Sequence, residues 1–254
     1  MNQFIFQRKD LGQHFLMNQS LIKEEVKLAK ISSKDNILEI GAGSGNLTKE
    51  LIKTNAKIYS FEIDERYSSE LKELKNENLT IIYDNTLNYS WRKYNKIVSN
   101  IPYEISEPLI NKAIKEGINF LVLIIGENFK EILEKNNSKI GFISNLFYNI
   151  SFIKKINKKE FMPIPRVDSW LIKLEKKEEI TKLDKILQRI ILYEGKIKNA
   201  LIYSLVKEGY TKKQTKEILK KMKLNRNILE KSTKKFTIKL LNKIKDYIIE
   251  VLEE

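Results

Sequence analysis

Residues 36–48 read N-I-L-E-I-G-A-G-S-G-N-L-T, and this stretch decides the fold. An apolar run of strand length, Asn36–Ile40, leads directly into a glycine-rich turn, and a helical pattern begins after it. The glycines Gly41, Gly43 and Gly45 permit a tight turn and let a ligand approach the backbone closely. In α/β proteins nucleotides bind where a strand passes into a helix through such a turn. The stretch therefore predicts a parallel α/β sheet with a nucleotide-like ligand at this turn.

The spacing of the glycines excludes two other kinds of phosphate-binding turn. A dinucleotide site uses Gly-x-Gly-x-x-Gly, but here the third glycine comes one residue early and Asn46 stands in its place. A kinase-type phosphate loop needs Gly-Lys-Ser/Thr, which is absent from the turn. The Glu-x-Gly-x-Gly-x-Gly pattern instead resembles the first motif of class I methyltransferases, which implies S-adenosylmethionine as the cofactor.

Strand-like runs alternate with amphipathic helical stretches from this point onward. The predicted strands are Asn36–Ile40, Lys57–Ile63, Leu79–Tyr83, Lys96–Ser99 and Asn119–Ile125. Helical stretches such as Leu47–Lys53 and Tyr67–Lys75 lie between them. This alternation indicates right-handed βαβ units and a Rossmann-like, mostly parallel sheet covered on both faces. Two further runs, Ile150–Ile156 and Val167–Glu175, are expected to close the sheet as an antiparallel pair.

The chain changes character after Glu175, where the strand-like runs stop. Helices are predicted at Leu183–Tyr193, Lys196–Lys207, Thr211–Met222 and Lys235–Leu252. We therefore predict an α/β domain over residues 1–176 and a small, all-helical domain over residues 177–254. Residues 176–254 hold 21 Lys/Arg against 11 Asp/Glu, so they carry most of the net charge of +14. This asymmetry favours a phosphate-binding surface, although lysine-rich helices also serve simply as soluble surface.

Composition excludes several classes of protein. The chain has no cysteine and one histidine, which disfavours a disulfide framework, a zinc enzyme and a histidine-based catalytic triad. Its apolar runs are far shorter than the roughly 18 residues that a membrane span needs. The first ten residues, MNQFIFQRKD, lack the order of a signal peptide. We expect a cytoplasmic, monomeric enzyme with no membrane partner.

Acidic residues end the second and third predicted strands. Glu62 lies 21 residues after Gly41, about the interval at which a carboxylate meets ribose hydroxyls. Asp84 suits a contact to the amino group of the cofactor adenine. We assign Glu62 and Asp84 to cofactor binding with their neighbours Ile63 and Asn85. An isolated acid at a strand end more often faces solvent, but the spacing from the glycine turn favours the cofactor role.

The fourth strand leads into Asn100-Ile101-Pro102-Tyr103, which predicts the chemistry. Alone, Asn-x-Pro would indicate a turn, but its place at a strand end after the glycine turn makes it informative. It resembles the Asn/Asp-Pro-Pro-Tyr motifs of enzymes that methylate exocyclic amines. The adenine N6 lone pair is delocalised into the ring and is a poor nucleophile.

Each residue of the motif suits this chemistry. The Asn100 side-chain carbonyl and the backbone carbonyl of Ile101 can accept the two N6–H bonds and aim the lone pair at the methyl group. Pro102 stiffens the loop, and Tyr103 offers a face on which an unstacked base can lie.

Two further segments resemble one particular family, the ribosomal RNA adenine dimethyltransferases. Leu11-Gly12-Gln13-His14-Phe15-Leu16 is similar to the family's Gly-Gln-Asn/His-Phe-Leu signature, and residues 161–169, F-M-P-I-P-R-V-D-S, match its Phe-x-Pro-x-Pro segment. The resemblance implies that Gln13, His14 and Leu16 contact S-adenosylmethionine, with His14 a binding residue and not a base. It also implies that Phe161 stacks on the target adenine opposite Tyr103, although the residues alone favour a core aromatic. The basic residues expected to bind RNA are Lys158, Lys159, Arg166, Lys196 and Lys198.

The resemblance implies N6,N6-dimethylation of two adjacent adenines near the 3′ end of small-subunit rRNA, with rRNA or the pre-ribosomal small subunit as the partner. The nearest alternative is the large-subunit enzyme type that confers macrolide resistance. A catalytically inactive ribosome-assembly factor is the second alternative. Two segments depart from the family pattern: Glu194-Gly195, where relatives often carry two arginines, and Gly126-Glu127, which follows the fifth strand.

Overall fold

The computed structural model describes residues 13–253, so Leu11 and Gly12 of the N-terminal signature lie outside the described residues. Contacts divide the chain into two compact units. The first contains the described residues up to Glu134 together with Tyr148–Lys176, and the second contains Lys135–Phe147 and the chain from Lys177 onward. The sequence placed residues 135–147 with the sheet. They group instead with the C-terminal helices: their one helix is mostly buried and contacts the helix over Lys182–Leu192.

The first unit is built around one large sheet. The described strands are β1 (Phe15–Leu16), β2 (Asn36–Ile40), β3 (Lys57–Phe61), β4 (Leu79–Ile82), β5 (Lys96–Asn100), β6 (Phe120–Gly126), β7 (Tyr148–Ile156), β8 (Phe161–Met162) and β9 (Ser169–Lys176). Seven of them form a sheet in the order β4-β3-β2-β5-β6-β9-β7. Strand β9 runs antiparallel to β6 and β7, and the other pairings are parallel. The predicted class I methyltransferase sheet with its antiparallel closing pair is confirmed.

Helices cover this sheet and make up the second unit. The described helices of the first unit are α1 (Gln19–Leu28), α2 (Asn46–Leu51), α3 (Ser68–Lys72), α4 (Ser106–Glu116) and α5 (Glu127–Lys135). Those of the second unit are α6 (Lys139–Phe147), α7 (Lys182–Leu192), α8 (Ile197–Lys207), α9 (Lys212–Lys221), α10 (Arg226–Leu229) and α11 (Ile238–Glu253). The four predicted C-terminal helices are present within three residues of their expected bounds, and α10 is an addition. No helix in the described part of the chain is long and apolar enough to cross a lipid bilayer.

Local sequence signals explain where several helices begin. Thr181 and Asp184 form a capping box at the start of α7, in which each side chain accepts a hydrogen bond from the other residue's backbone amide. Thr211 and Gln214 form the same arrangement at the start of α9. Each cap is expected to stabilise its helix by about 1 kcal/mol. These caps set the residues at which α7 and α9 begin in the basic second unit.

The strand order places a switch point at the centre of the sheet. After β2 the chain winds outward through β3 and β4, and it then returns to the other side of β2 with β5 and β6. Loops that leave the carboxyl ends of β2 and β5 therefore diverge and open a crevice, where α/β sheets bind ligands. The glycine turn follows β2, and Asn100 is the last residue of β5.

A small second ladder forms beside the main sheet. Strand β1 pairs antiparallel with β8, with Phe15 opposite Met162 and Leu16 opposite Phe161. Leu16 and Phe161 are buried in a core cluster that also contains Leu21 of α1. The N-terminal segment and the Phe-x-Pro-x-Pro segment, far apart in sequence, are thus held together.

Candidate active site

A cavity of about 260 Å³ opens at the carboxyl ends of β2, β3 and β5, within the first unit. It lies at the switch point of the sheet. Every residue that the sequence assigned to the cofactor, to the chemistry or to stacking lines it: Gln13, His14, Leu16, Gly41, Gly43, Glu62, Ile63, Asp84, Asn85, Asn100, Ile101, Pro102, Tyr103 and Phe161. The structure therefore brings these fourteen residues together around one space.

The glycine turn forms the floor of the cavity. Gly41, Gly43 and Gly45 have φ values of 76°, 52° and 79°, a region that favours glycine. The backbone amides of Gly41 and Ala42 both donate to the carbonyl of Phe61, at 2.8 and 3.0 Å. A side chain at Gly43 would collide with the ring of Phe15. The turn is thus tied to the end of β3 and has no room for a side chain at its centre.

Glu62 is held in place by the backbone and is only 3% exposed. Its Oε2 accepts a 2.7 Å hydrogen bond from the Gly43 amide, and its Oε1 accepts a 2.8 Å bond from the Asp64 amide. Burial raises the pKa of Glu62, while these backbone hydrogen bonds oppose the rise. Each carboxylate oxygen keeps a further lone pair, so the group can accept two more hydrogen bonds from a vicinal diol.

Asp84 lies on the exposed rim of the cavity and is oriented by two donors. Its Oδ1 accepts the Asn85 amide at 2.6 Å, and its Oδ2 accepts the Tyr89 hydroxyl at 2.8 Å. The Tyr89 ring packs edge-on against Phe61, with centroids 5.2 Å apart. Sequence reasoning missed Tyr89, since its contact depends on the short helical turn after Asp84. Ile63 is 58% exposed although it is apolar, as expected for a surface that a flat ligand covers.

The N-terminal residues close one side of the cavity. His14 Nδ1 lies 2.8 Å from the carbonyl oxygen of Pro163, and the His14 ring stacks on Tyr103 with centroids 6.0 Å apart. Gln13 Oε1 accepts a 3.3 Å bond from the Tyr67 hydroxyl. Phe161 is 3% exposed, so most of its ring belongs to the core and only part reaches the cavity.

Asn100 to Tyr103 form a second wall of the cavity next to the glycine turn, since a methyl group on Gly41 would lie 3.7 Å from Pro102 Cδ. Ile101 is buried. Asn100 is the last residue of β5, and it lines the cavity. The Tyr103 hydroxyl is 2.6 Å from Ser169 Oγ, and burial raises the pKa of that hydroxyl. A methyl group on Gly126 would lie 3.1 Å from Tyr103 Cδ2. The tyrosine ring therefore lies directly on the end of β6.

Two buried carboxyl groups beside this wall were not predicted as site residues. Glu39 is 1% exposed and accepts hydrogen bonds from Thr48 Oγ1 at 2.8 Å and Ser60 Oγ at 2.5 Å. Burial raises its pKa to about 7. Glu25, on α1, is completely buried and faces Asn100. The signal in the sequence was that Glu25 falls on the apolar face of α1, four residues after Leu21.

The predicted RNA-binding residues do not line the cavity. Lys158, Lys159 and Arg166 are exposed on the first unit, and Lys196 and Lys198 are exposed on the second. Lys196 forms a 2.7 Å ion pair with Glu230. Their role in RNA contact stays a prediction.

The chain is similar in sequence to known proteins. A curated protein of Methanococcus maripaludis, "Probable ribosomal RNA small subunit methyltransferase A", is 34% identical over 232 residues, which span 85% of this chain and 88% of that protein. A Thermococcus gammatolerans protein of the same name is 35% identical over 182 residues, or 69% of this chain and 66% of its own length.

A similar solved structure points the same way. The crystal structure of a dimethyladenosine transferase from Plasmodium falciparum is 26% identical, with a TM-score of 0.64 over 94% of this chain and 98% of that one. The family model described as "Ribosomal RNA adenine dimethylase" matches residues 6–241. The chain therefore belongs to the ribosomal RNA adenine dimethylase family, a family of S-adenosylmethionine-dependent methyltransferases.

Proposed function

We propose that this protein transfers methyl groups from S-adenosylmethionine to the N6 nitrogens of two adjacent adenines near the 3′ end of small-subunit rRNA. The observation that carries the proposal is that Asn100 and Tyr103 share one cavity with Gly43 and Glu62. An amine-orienting motif and a nucleoside-binding turn are thus within reach of one another. The two curated relatives named for the small subunit support the choice of RNA.

The cavity fits the methyl donor by the chemistry of its walls. When bound, S-adenosylmethionine supplies an electrophilic methyl group on a sulfonium. Glu62 would accept hydrogen bonds from both ribose hydroxyls, because its two oxygens are held apart by backbone donors. Asp84 and Ile63 would contact the adenine ring through its amino group and its face. Gln13, His14, Leu16 and Asn85 would complete the binding surface.

The wall formed by residues 100–103 would orient the target amine. The side-chain carbonyl of Asn100 and the backbone carbonyl of Ile101 accept its hydrogens, while Tyr103 stacks on the base from a position fixed by Ser169. The N6 lone pair forms the new N–C bond as the C–S bond breaks, and the displaced proton leaves to solvent. A second methylation requires only one remaining N–H, so one of the two acceptors must be dispensable. Catalysis would come from positioning and electrostatics.

Exposed basic residues would hold the RNA. We propose that Lys158, Lys159 and Arg166 on the first unit, with Lys196 and Lys198 on the second, contact phosphates. The second unit carries most of the excess positive charge, which supports this role. We expect the protein to act as a cytoplasmic monomer on rRNA or on the pre-ribosomal small subunit.

Methyl transfer to defined ribosomal substrates tests the proposal. Purified protein is incubated with radiolabelled S-adenosylmethionine and, separately, unmethylated small subunits, large subunits and naked rRNA, and the RNA is then digested to nucleosides. We expect N6,N6-dimethyladenosine in small-subunit RNA alone. Label confined to large-subunit RNA would assign the large-subunit activity instead. Tight binding to small subunits without label would indicate an assembly factor.

A further inference from the structure

Glu25 makes a contact that the proposed mechanism does not use. Its carboxyl group, in the middle of α1, is completely buried and faces the side-chain amide of Asn100. With the amide nitrogen turned toward it, Asn100 Nδ2 lies 3.2 Å from Oε1 and 3.1 Å from Oε2. The nitrogen is the end that fits, because an ionised carboxylate only accepts hydrogen bonds and would repel the amide oxygen. A protonated acid could also donate to the amide oxygen, but the opposite end of the Asn100 amide faces only hydrogen-bond donors, which places the oxygen at that end in either protonation state.

This carboxyl group is poorly suited to stabilising the fold. Among residues 13–253, no lysine or arginine forms an ion pair with Glu25. Burial and the neighbouring Glu39 raise its pKa well above the ordinary value, and the hydrogen bond from Asn100 opposes that rise. Taking an acid out of water without a cation costs free energy, and an apolar side chain on the same helix face would avoid that cost. A glutamate at position 25 is therefore better explained by a functional role than by packing.

We infer that Glu25 is a positioning residue that fixes the orientation of the Asn100 amide. Because Nδ2 is bound by Glu25, Oδ1 is the end left to face the cavity. That oxygen is the atom that must accept an N–H from the target amine. The two ends of an amide have nearly the same shape, so packing alone would not select between them. Without Glu25 the amide can turn its NH₂ group toward the target amine, where two donors would face each other.

This inference rests on the proposed function, and a substitution series separates the two. Glu25→Leu removes the acceptor but fills the space, and we expect kcat to fall by about tenfold or more while the KM for S-adenosylmethionine changes less than about twofold. Its Tm should not fall, because a buried acid has been replaced by an apolar group. Glu24→Gln is the matched control. Glu24 is the preceding residue, pairs with Lys154 on the surface and should leave kcat unchanged.

A double-mutant cycle with Asn100→Ala gives the sharpest outcome. If Glu25 acts through Asn100, adding Glu25→Leu to Asn100→Ala should cost no further activity. An equal loss in both backgrounds, or wild-type kcat in Glu25→Leu, overturns the inference.

If Glu25→Leu is unstable, the Glu25→Gln variant tests the positioning role instead. Its amide satisfies either orientation of Asn100, so a lower kcat at unchanged KM and Tm is expected, and wild-type kcat refutes the role. Absence of activity in the wild-type protein would instead count against the proposed function itself.

Discussion

The backbone amide of Gly43 donates a 2.7 Å hydrogen bond to Oε2 of Glu62, joining the turn after β2 to the end of β3. One interaction thus fixes both the glycine turn and the acid that follows the next strand. The Gly43 amide is satisfied by the carboxylate, and the carboxylate is held in the lining of the cavity. The spacing noted in the sequence runs from Gly41 to Glu62, and this contact joins Glu62 to the next glycine of the same turn, 19 residues before it.

Replacing Glu62 with glutamine is expected to weaken cofactor binding. Glutamine offers one acceptor oxygen in place of two, so the backbone donors and the ribose hydroxyls would compete for it. We expect the affinity for S-adenosylmethionine to fall by about 10- to 100-fold, which corresponds to about 1.4–2.8 kcal/mol. Isothermal titration calorimetry measures this directly, with the exposed Glu65→Gln as the control. An unchanged affinity would remove Glu62 from the binding site.

Gly126→Ala is expected to impair methyl transfer without impairing cofactor binding. The added methyl group would lie 3.1 Å from Tyr103 Cδ2, so this ring, on which we propose that the target base stacks, must move. A displacement of this kind can cost up to about 100-fold in rate. Gly117→Ala adds the same methyl group at the end of α4, where no atom lies within 4 Å. That control should lose stability through its positive φ yet keep its kcat, and equal kinetic losses in the two variants would contradict the prediction.

Asn100→Ala is expected to abolish most methyl transfer while cofactor binding largely survives. The substitution removes the side-chain carbonyl that we propose accepts a hydrogen bond from the target amine, and loss of one such polar group typically costs about 100-fold or more in kcat. Single-turnover transfer to small-subunit RNA measures the loss, and calorimetry measures the affinity for S-adenosylmethionine. Wild-type turnover by this variant would exclude the assigned mechanism.

Glu39 is expected to make the stability of the protein depend on pH. Its pKa is about 7 in the folded chain, against 4.5 as the ordinary value. Between these pH values the folded state keeps a proton that the unfolded state has lost, so the free energy of unfolding falls as pH rises. The change for this one group is on the order of 3 kcal/mol, and Glu25 contributes in the same direction.

Guanidinium unfolding below and above this pH window measures the effect. Glu39→Gln cannot titrate, so its stability should decline less with rising pH than that of the wild-type protein. If the two profiles run parallel, Glu39 is ionised at the same pH in the folded and unfolded states.

Lys198→Gln is expected to weaken RNA binding and to reduce its salt dependence. Removing the charge that neutralises one phosphate lowers the slope of log K against log salt by about one. Lys198 is substituted in place of Lys196 because Lys196 forms an ion pair with Glu230. The matched control is Lys57→Gln, an exposed lysine at the amino end of β3, away from the cavity edge of the sheet. An unchanged slope for Lys198→Gln would place the RNA surface elsewhere.

The strands and most of the site were predictable because local patterns encode them. Each strand is a short apolar run between turn residues, and the carboxyl ends of parallel strands meet at one edge. Glu62 and Asn100 could therefore be placed together from the sequence alone. Strand bounds shifted by one or two residues, as at β3, where Glu62 and Ile63 leave the ladder to enter the site.

Features that depend on packing between distant elements were not predictable. Helix α6, K-I-G-F-I-S-N-L-F, is apolar on nearly all sides, so it shows no amphipathic period and its place in the second unit was missed. The apolar face of α1 indicates that Glu25 is buried, but its contact with Asn100 depends on how α1 packs against the sheet, and a lone glutamate in a helix normally indicates a solvated surface. Tyr89 meets Asp84 through the conformation of a short turn.

The ladder between β1 and β8 has a consequence for the timing of synthesis. Leu16 cannot find its partner Phe161 until the chain has grown by more than 140 residues. At about 5–20 residues per second, the glycine turn and its acid are made many seconds before the strand that closes the cavity over them. A nascent chain would thus carry the glycine turn and Glu62 while the cavity still lacks the part formed by Phe161, and we expect it to bind S-adenosylmethionine only when its first unit is nearly complete.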